Sequence, residues 1–360
     1  MSYTAHVLHG FNPLEALETE WRELFNQAES PNPFFSTEWV YTWLNHRGGR
    51  VFPVTLIVHD SDNQLVAAWP FFEYAAIGGR GLWVSLSDIA NCLEPLVIRH
   101  DKALLKVVFE ALGQLLGDYR FIWIPLLNKR LARGYLEPAL QRFPNLTGIH
   151  HRAPNYFVDL TAQAGFNGYL TDVVGSKTHR DCRRRLRLLE QLGPVEHVTY
   201  RTPDDLLRFD VEMRSIEKVS WKGREQLGHL TKVESGDFFN ELLPKLMALG
   251  QVEITALRVN QMAIAFEIAI RRGGSYGFFH IAYLPDYRKY APGRQLMLHN
   301  IERAMSEGCT EFDFMQGGHE YKQKLCTGSR ELMDAFICQR SLAGRLNHWL
   351  SRLVRRRRVD

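Results

Sequence analysis

The chain has 360 residues, a length that suits two compact domains better than one small core. With 45% hydrophobic, 12% aromatic and 23% charged residues, its composition excludes a disordered class, and no run approaches the roughly 18 apolar residues that a membrane span needs. The net charge is only +4, yet basic residues gather in Lys177 to Arg187 and in Arg355 to Arg358.

The first residues lack a basic region followed by an apolar stretch, so a cytoplasmic location is expected. Next, residues 14–28 carry Leu14, Leu17, Trp21, Leu24 and Phe25 at helical spacing, and a second helical stretch follows Ser36-Thr37-Glu38. The runs 51–59 and 64–72 read as strands joined in a hairpin by Asp60-Ser61-Asp62-Asn63. Residues 103–116 then read as a helix and 120–125 as a buried strand. A stretch holding Pro144-Asn145 and Pro154-Asn155 marks a boundary near residue 150, after which the order of elements begins again.

In the second half, helices are predicted at 177–192, 204–218 and 238–249, followed by a meander of strands at 252–259, 263–270 and 276–283. A helix at 293–307, stopped by Gly308, leads to a strand at 311–315. The expected class is α/β (α+β): two tandem domains at 1–150 and 151–340, each a mixed sheet flanked by helices, and a tail at 341–360. Five scattered cysteines (Cys92, Cys182, Cys309, Cys326, Cys338) without a C-x-x-C pair predict neither a disulfide framework nor a metal site.

The segment from Tyr287 to Leu296 lies between a strand and an amphipathic helix. A turn of small residues opening a helix leaves amide groups aimed at one spot with the positive end of the dipole behind them, where a pyrophosphate fits. Arg288, Tyr290, Ala291, Pro292, Gly293, Arg294 and Gln295 are the candidate cofactor residues.

Three antiparallel strands, this turn, this helix and a further strand resemble the coenzyme A site of GNAT acyltransferases. Their pyrophosphate loop follows Arg/Gln-x-x-Gly-x-Gly/Ala, which Arg288 to Gly293 resembles with Ala291 in place of the first glycine. Downstream, Phe312 to Lys322 resembles the Asp-Phe-x-x-Gly-x-x-x-Tyr-Lys segment of an acetyltransferase-like family associated with cellulose and other bacterial polysaccharide synthesis, itself similar to the FemAB peptidyltransferases. Asn32 to Ser36, Ser87-Asp88 with Glu94-Pro95, and the basic helix after Gly175 extend the resemblance over almost the whole chain.

The resemblance implies transfer from an acyl-CoA, acetyl-CoA in the first instance, to nitrogen or oxygen of a cell-envelope or polysaccharide precursor, with a lipid- or nucleotide-linked sugar as acceptor. Two alternatives stand beside it: an aminoacyl-tRNA-dependent peptidyltransferase of the FemAB kind, and a non-catalytic module that binds a nucleotide sugar or a partner. No long charged heptad pair, such as forms a helical arm, is present.

Acyl transfer from a thioester requires that an acceptor amine or hydroxyl lose a proton and that the oxyanion meet fixed donors. Three residues suit the proton-transfer role. Glu267 interrupts an apolar strand, where burial raises a carboxyl pKa; His280 lies on the strand leading to the cofactor turn; Asp313 alternates with Phe312 and Phe314. Their order of preference stays open. No Gly-x-Ser-x-Gly elbow occurs, and Cys326 lacks a motif that would lower its pKa.

Lys177, Arg180, Arg184 and Arg187 recur at three- or four-residue spacing, a stripe that suits a phosphorylated or acidic acceptor and equally a solvated helix face. In Trp221-Lys222-Gly223 the indole offers an aromatic wall or else packs as a buried tryptophan at a turn, and Gly317, Tyr321 and Lys322 offer a close approach with donors. Residues 342–354 place Leu342, Leu346, Trp349, Leu350 and Leu353 on one helical face before four arginines, which fits either peripheral contact with an anionic membrane or packing on the protein. Nucleic acid is not an expected partner, because no recognised module or aromatic platform is present.

Overall fold

Runs rich in β-branched and aromatic residues become strands, numbered β1 to β13 in chain order among the described residues. The structure is a computed structural model describing residues 2–29, 32–76, 79–86, 89–90, 92–341 and 345–346. Its residues group in two units, 1–154 with 330–360, and 155–329.

In the first unit β1 (Thr4–His9), β2 (Phe52–His59), β3 (Leu65–Ala76) and β4 (Gly79–Val84) form an antiparallel meander, and the short β5 (Leu96–Val97) pairs with β3. The helix Lys102–Gln114 then leads to β6 (Phe121–Asn128), parallel to β4. That helix is N-capped by Asp101, which accepts from the Ala103 amide at 2.6 Å, and it buries Leu104, Leu105, Val108, Phe109 and Leu112. The sheet closes with β13 (Gly328–Gln339), antiparallel to β6.

The second unit repeats this plan. β8 (Val195–Tyr200), β9 (Val252–Val259), β10 (Met262–Arg272) and β11 (Ser275–Tyr283) form a meander. The helix Pro292–Ser306 leads to β12 (Glu311–Gln316), parallel to β11, and residues 155–159 of β7 (Asn145–Asp159) close the sheet antiparallel to β12. Both units are therefore mixed sheets flanked by helices, the tandem α/β architecture expected from the order of sequence elements.

Several local expectations differ from the structure. The helix predicted at 14–28 is divided at Leu17 into Phe11–Ala16 and Glu18–Gln27. Residues 330–339, placed at the end of the second domain, pair with β6 in the first unit, where Ala335, Phe336, Ile337 and Cys338 are buried. Strands β1, β4, β5, β7, β8 and β13 were not anticipated; β1 and β8 are half-exposed, so their apolar content is weak. Ser87-Asp88 and almost all of the tail, 342–344 and 347–360, lie outside the described residues. Among the described residues no helix is long and apolar enough to cross a membrane.

The two faces of the second sheet are told apart by β10. Phe266 meets Phe209 of the helix Pro203–Val219, with ring centroids 6.4 Å apart, so its neighbour Glu267 points to the other face, where the helix Pro292–Ser306 packs.

Candidate active site

After β11 the chain makes a 3-10 turn, Pro285–Tyr290, and Ala291 (φ 52°, ψ 52°) takes a left-handed conformation that swings it into the helix Pro292–Ser306. Pro292 sits in the first turn, where no amide is needed, and the amides of Arg294 and Gln295 bond the Ala291 carbonyl at 3.0 and 3.2 Å. Gly293 lets the helix lie against β11, since an added Cβ would stand 3.1 Å from Ile281 Cδ1.

Arg288 and Lys289 are exposed and Arg294 is half-buried, 3.7 Å from Asp181. These three cations gather at a helix start, a setting that suits an anionic group. Two residues expected to join them face inward instead: the Tyr290 ring packs with Leu189, Leu257 and Leu296, and Gln295 Nε2 donates to the Cys182 carbonyl at 2.9 Å. Together with a hydrogen bond from Arg185 to the Lys289 carbonyl, Gln295 ties the helix Ser176–Glu190 to the turn. That helix carries Lys177, Arg180, Arg184 and Arg187, all exposed, with Arg184 bonded to Asp181 at 2.9 Å.

β11 and β12 pair only where Ser275, Tyr276 and Gly277 face Glu311, Phe312 and Asp313. At Gly277 an added Cβ would stand 2.4 Å from Met315 Cε, and Met315 itself has φ 60°, so the strands meet closely here and part beyond. Past this point β11 carries a bulge: Ile268 faces His280 while Ala269 faces Phe278, so the register steps over Phe279. The bulge brings Phe279 and His280 to one face, where both meet the His229 ring, at centroid distances of 5.4 and 5.0 Å.

Glu217, on the helix Pro203–Val219, is fully buried there. It accepts from the amides of His229, Leu230 and Thr231 and from the Thr231 hydroxyl, and it lies 2.6 Å from His280 Nε2. Burial resists its charge, but the bonds from His280 and Thr231 outweigh that and hold the carboxyl at about 2. Burial, and then the charge of Lys222, push His280 down to about 4 against the pull of Glu217. A neutral imidazole beside a carboxylate carries its proton on Nε2, which leaves Nδ1 as an acceptor.

Lys222 Nζ stands 3.2 Å from that Nδ1. Burial depresses its ammonium to about 8, with Glu217 opposing and Lys322 adding to the shift. The short turn Trp221–Arg224 delivers it: the Ser220 hydroxyl accepts from the Gly223 amide, and any Cβ on Gly223 would stand 2.3 Å from the Glu217 carbonyl oxygen. Lys322, also buried, donates to the carbonyls of Met315 (3.3 Å) and Gln316 (2.6 Å), and burial depresses it to about 8 against the pull of Asp313. His319 is lowered by burial and by both lysines, so these three basic groups sense one another.

The structure therefore separates the three proton-transfer candidates. His280 sits in the cluster. Asp313 Oδ1 accepts from Asn155 Nδ2 (2.8 Å) and the Met315 amide (2.7 Å), fixing the strand end near Lys322. Glu267 lies on the opposite face, accepts from the Tyr276 hydroxyl at 3.0 Å, and is raised to about 8 by burial.

Trp221 is 38% exposed beside Lys222. Gly317 (φ 122°) and Tyr321 flank His319, the tyrosine stacking on it at 5.8 Å. Sequence reasoning missed Glu217 and His229 and named Lys222 only as a neighbour of Trp221. A signal existed for Glu217, which falls on the apolar stripe Leu206, Phe209, Met213 and Ile216.

Residues 176–323 match the family described as "Acetyltransferase (GNAT) domain". No curated protein matches the chain. Among solved structures it is similar to FemX (10% identity, TM-score 0.62, covering 99% of this chain and 100% of that one). It is also similar to a conserved protein of unknown function from Bacteroides thetaiotaomicron VPI-5482 (14%, TM-score 0.56, 90% and 97%). A third is L-PGS from Bacillus licheniformis (16%, TM-score 0.51, 82% and 87%). At these identities the likeness is one of fold.

Proposed function

Starting from an enzyme of the acyltransferase type, with an acetyltransferase (GNAT) domain at residues 176–323, we propose that it moves an acyl group, acetyl in the first instance, from coenzyme A to an amine or hydroxyl of a cell-envelope or polysaccharide precursor. The row of half-buried Lys222 with buried His280 and Glu217, set on the length of β11 beyond its pairing with β12, carries this reading. Arg288, Lys289 and Arg294 at the start of the helix Pro292–Ser306 would hold the pyrophosphate, and the pantetheine arm, an extended amide chain, suits the unpaired edge of β11.

In the reaction the acceptor nitrogen or oxygen bonds to the thioester carbon, the C–S bond breaks, and the thiolate leaves to take a proton. Lys222 takes the acceptor's proton. In its neutral form it keeps one N–H on His280 Nδ1, which orients its lone pair, while Glu217 fixes the imidazole tautomer. Amides on the unpaired side of β11 would serve the oxyanion. Lys322 adds positive charge beside Lys222, which favours an acceptor bearing phosphate, as a lipid- or nucleotide-linked sugar does.

The exposed cations of the helix Ser176–Glu190, tied to the same turn, favour a second reading in which the donor is larger and phosphate-rich, an aminoacyl-tRNA. Calorimetric titration with acetyl-CoA, coenzyme A, UDP-sugars and aminoacyl-tRNA separates the readings. Saturable coenzyme A binding that Gly293→Asp abolishes is expected; aminoacyl-tRNA binding without coenzyme A binding would move the assignment to peptidyl transfer.

A further inference from the structure

In the first unit the helix Lys102–Gln114 lies beside a second helical stretch, residues 129–140, whose middle, Ala132–Leu136, is a π-helical turn. The two touch where Phe109 stacks on Tyr135, with ring centroids 6.1 Å apart. Just past that stretch, Phe143 fills the space over Gly113, where any Cβ would run into its ring. Towards Lys102 the elements part around a cavity of about 570 Å³, all of whose lining belongs to this unit.

A π turn widens a helix locally and occurs frequently at functional sites. Here it sets Gly134 and Tyr135 on the cavity wall, with nothing within 4 Å of a Cβ added to Gly134. Pro138 and Ala139 continue that wall as an apolar surface.

Charge is distributed unevenly around this space. Glu110 holds Arg142 in an ion pair and has Lys106 at 4.0 Å. Lys102 and Arg130 make no ion pair and no side-chain hydrogen bond among the described residues. Arg130 is felt at His100, two residues before Lys102, which burial and then Arg130 lower. It is felt too at Glu94, which burial raises to about 7 against the pull of Arg330 and Arg130. Four cations on the lining against the one carboxylate of Glu110 leave a charge of +3. An anionic head can therefore meet Lys102 and Arg130 without breaking an existing pair, while an apolar body takes the Tyr135 wall out of water.

We propose that this cavity binds a small amphipathic anion, its phosphate or carboxylate on Lys102 and Arg130 and its apolar part along Tyr135, Pro138 and Ala139. The test is the melting temperature of the full chain titrated with octanoate and with octyl phosphate below their micelle concentrations, against acetate and inorganic phosphate at matched ionic strength. Saturable stabilisation by an octyl compound is expected, about tenfold weaker or more in apparent affinity in Lys102→Met and in Arg130→Gln, and kept in Lys222→Met. Gly134→Leu, whose side chain would occupy the cavity, should remove it. A stronger response to octyl phosphate assigns a phosphate head, and to octanoate a carboxylate. Stabilisation no greater than acetate and inorganic phosphate give overturns the proposal, because the apolar wall would then take no part. So does stabilisation that all three cavity variants keep. Unchanged circular dichroism and melting temperature without ligand establish that each variant is folded, and the exposed Lys102 keeps the test decisive should Gly134→Leu fail to fold.

Discussion

Lys222 is set apart by burial rather than by any unusual chemistry of its own. With its ammonium brought to about 8 and one hydrogen bond committed to His280, it becomes a neutral amine close to working pH. The expected kcat/KM therefore rises with pH through about 8 and then levels, because only the deprotonated amine accepts a proton. Lys222→Met should remove that limb and lower turnover by about 10²–10⁴, the span typical of general-base loss. Lys222→Arg should not restore it, since a guanidinium stays charged; a retained limb in either variant would assign the base elsewhere. At Ala291 a left-handed backbone costs an ordinary residue about 1–2 kcal/mol, part of which glycine returns through its greater freedom in the unfolded chain. Ala291→Gly should raise unfolding free energy by about 0.5–1 kcal/mol in urea titration, and a loss would mean that the methyl group packs usefully.

Elements position these residues, and their legibility followed their punctuation. The meander β9 to β11 could be read because Asn260-Gln261 and Gly273-Gly274 mark its turns; β8 could not, being half-exposed and set apart from β9 by helices. The face of His280 was illegible for a sharper reason. Alternation predicts a face from position, and the bulge at Phe279 slips that count by one, so a period-two reading puts His280 on the side of Phe278 instead of the side of Glu217. Glu267 illustrates the converse: an acid in an apolar strand was visible, but which face held the chemistry was not. The helix Pro203–Val219, which carries Glu217, starts with a full capping box between Thr202 and Asp205. Thr202→Ala should cost about 1 kcal/mol of stability while leaving the pH limb of turnover in place, because the cap lies at the far end of the helix from Glu217. A shifted limb would show that the helix start governs the site geometry.

For the molecule as a whole, the buried carboxyls make stability depend on pH in opposite senses. Glu267 is raised to about 8, so the folded protein holds a proton that the unfolded chain gives up near 4.5. Its contribution is full below about pH 4.5 and is lost as pH rises to about 8. Glu217, lowered to about 2, contributes above about 4.5 and loses that contribution as pH falls toward 2. Melting curves from pH 5 to 9 should thus decline less steeply for Glu267→Gln than for the wild-type chain; equal slopes would mean that Glu267 ionises normally. The tandem plan was legible because each half repeats meander, helix and strand. The closing strand of the first unit was not, because its pairing partner β6 lies some two hundred residues earlier and sequence patterns report neighbours. That discontinuity bears on how the protein is made. Residues 129–329, about 200 of them, leave the ribosome after β6 and before residues 330–339 that cover it. At about 5–20 residues per second, the nascent chain carries an unprotected strand edge for roughly 10–40 s. During that interval β6 is a template for pairing with another chain, so slow translation or scarce chaperones should show first as aggregation rather than as lost activity.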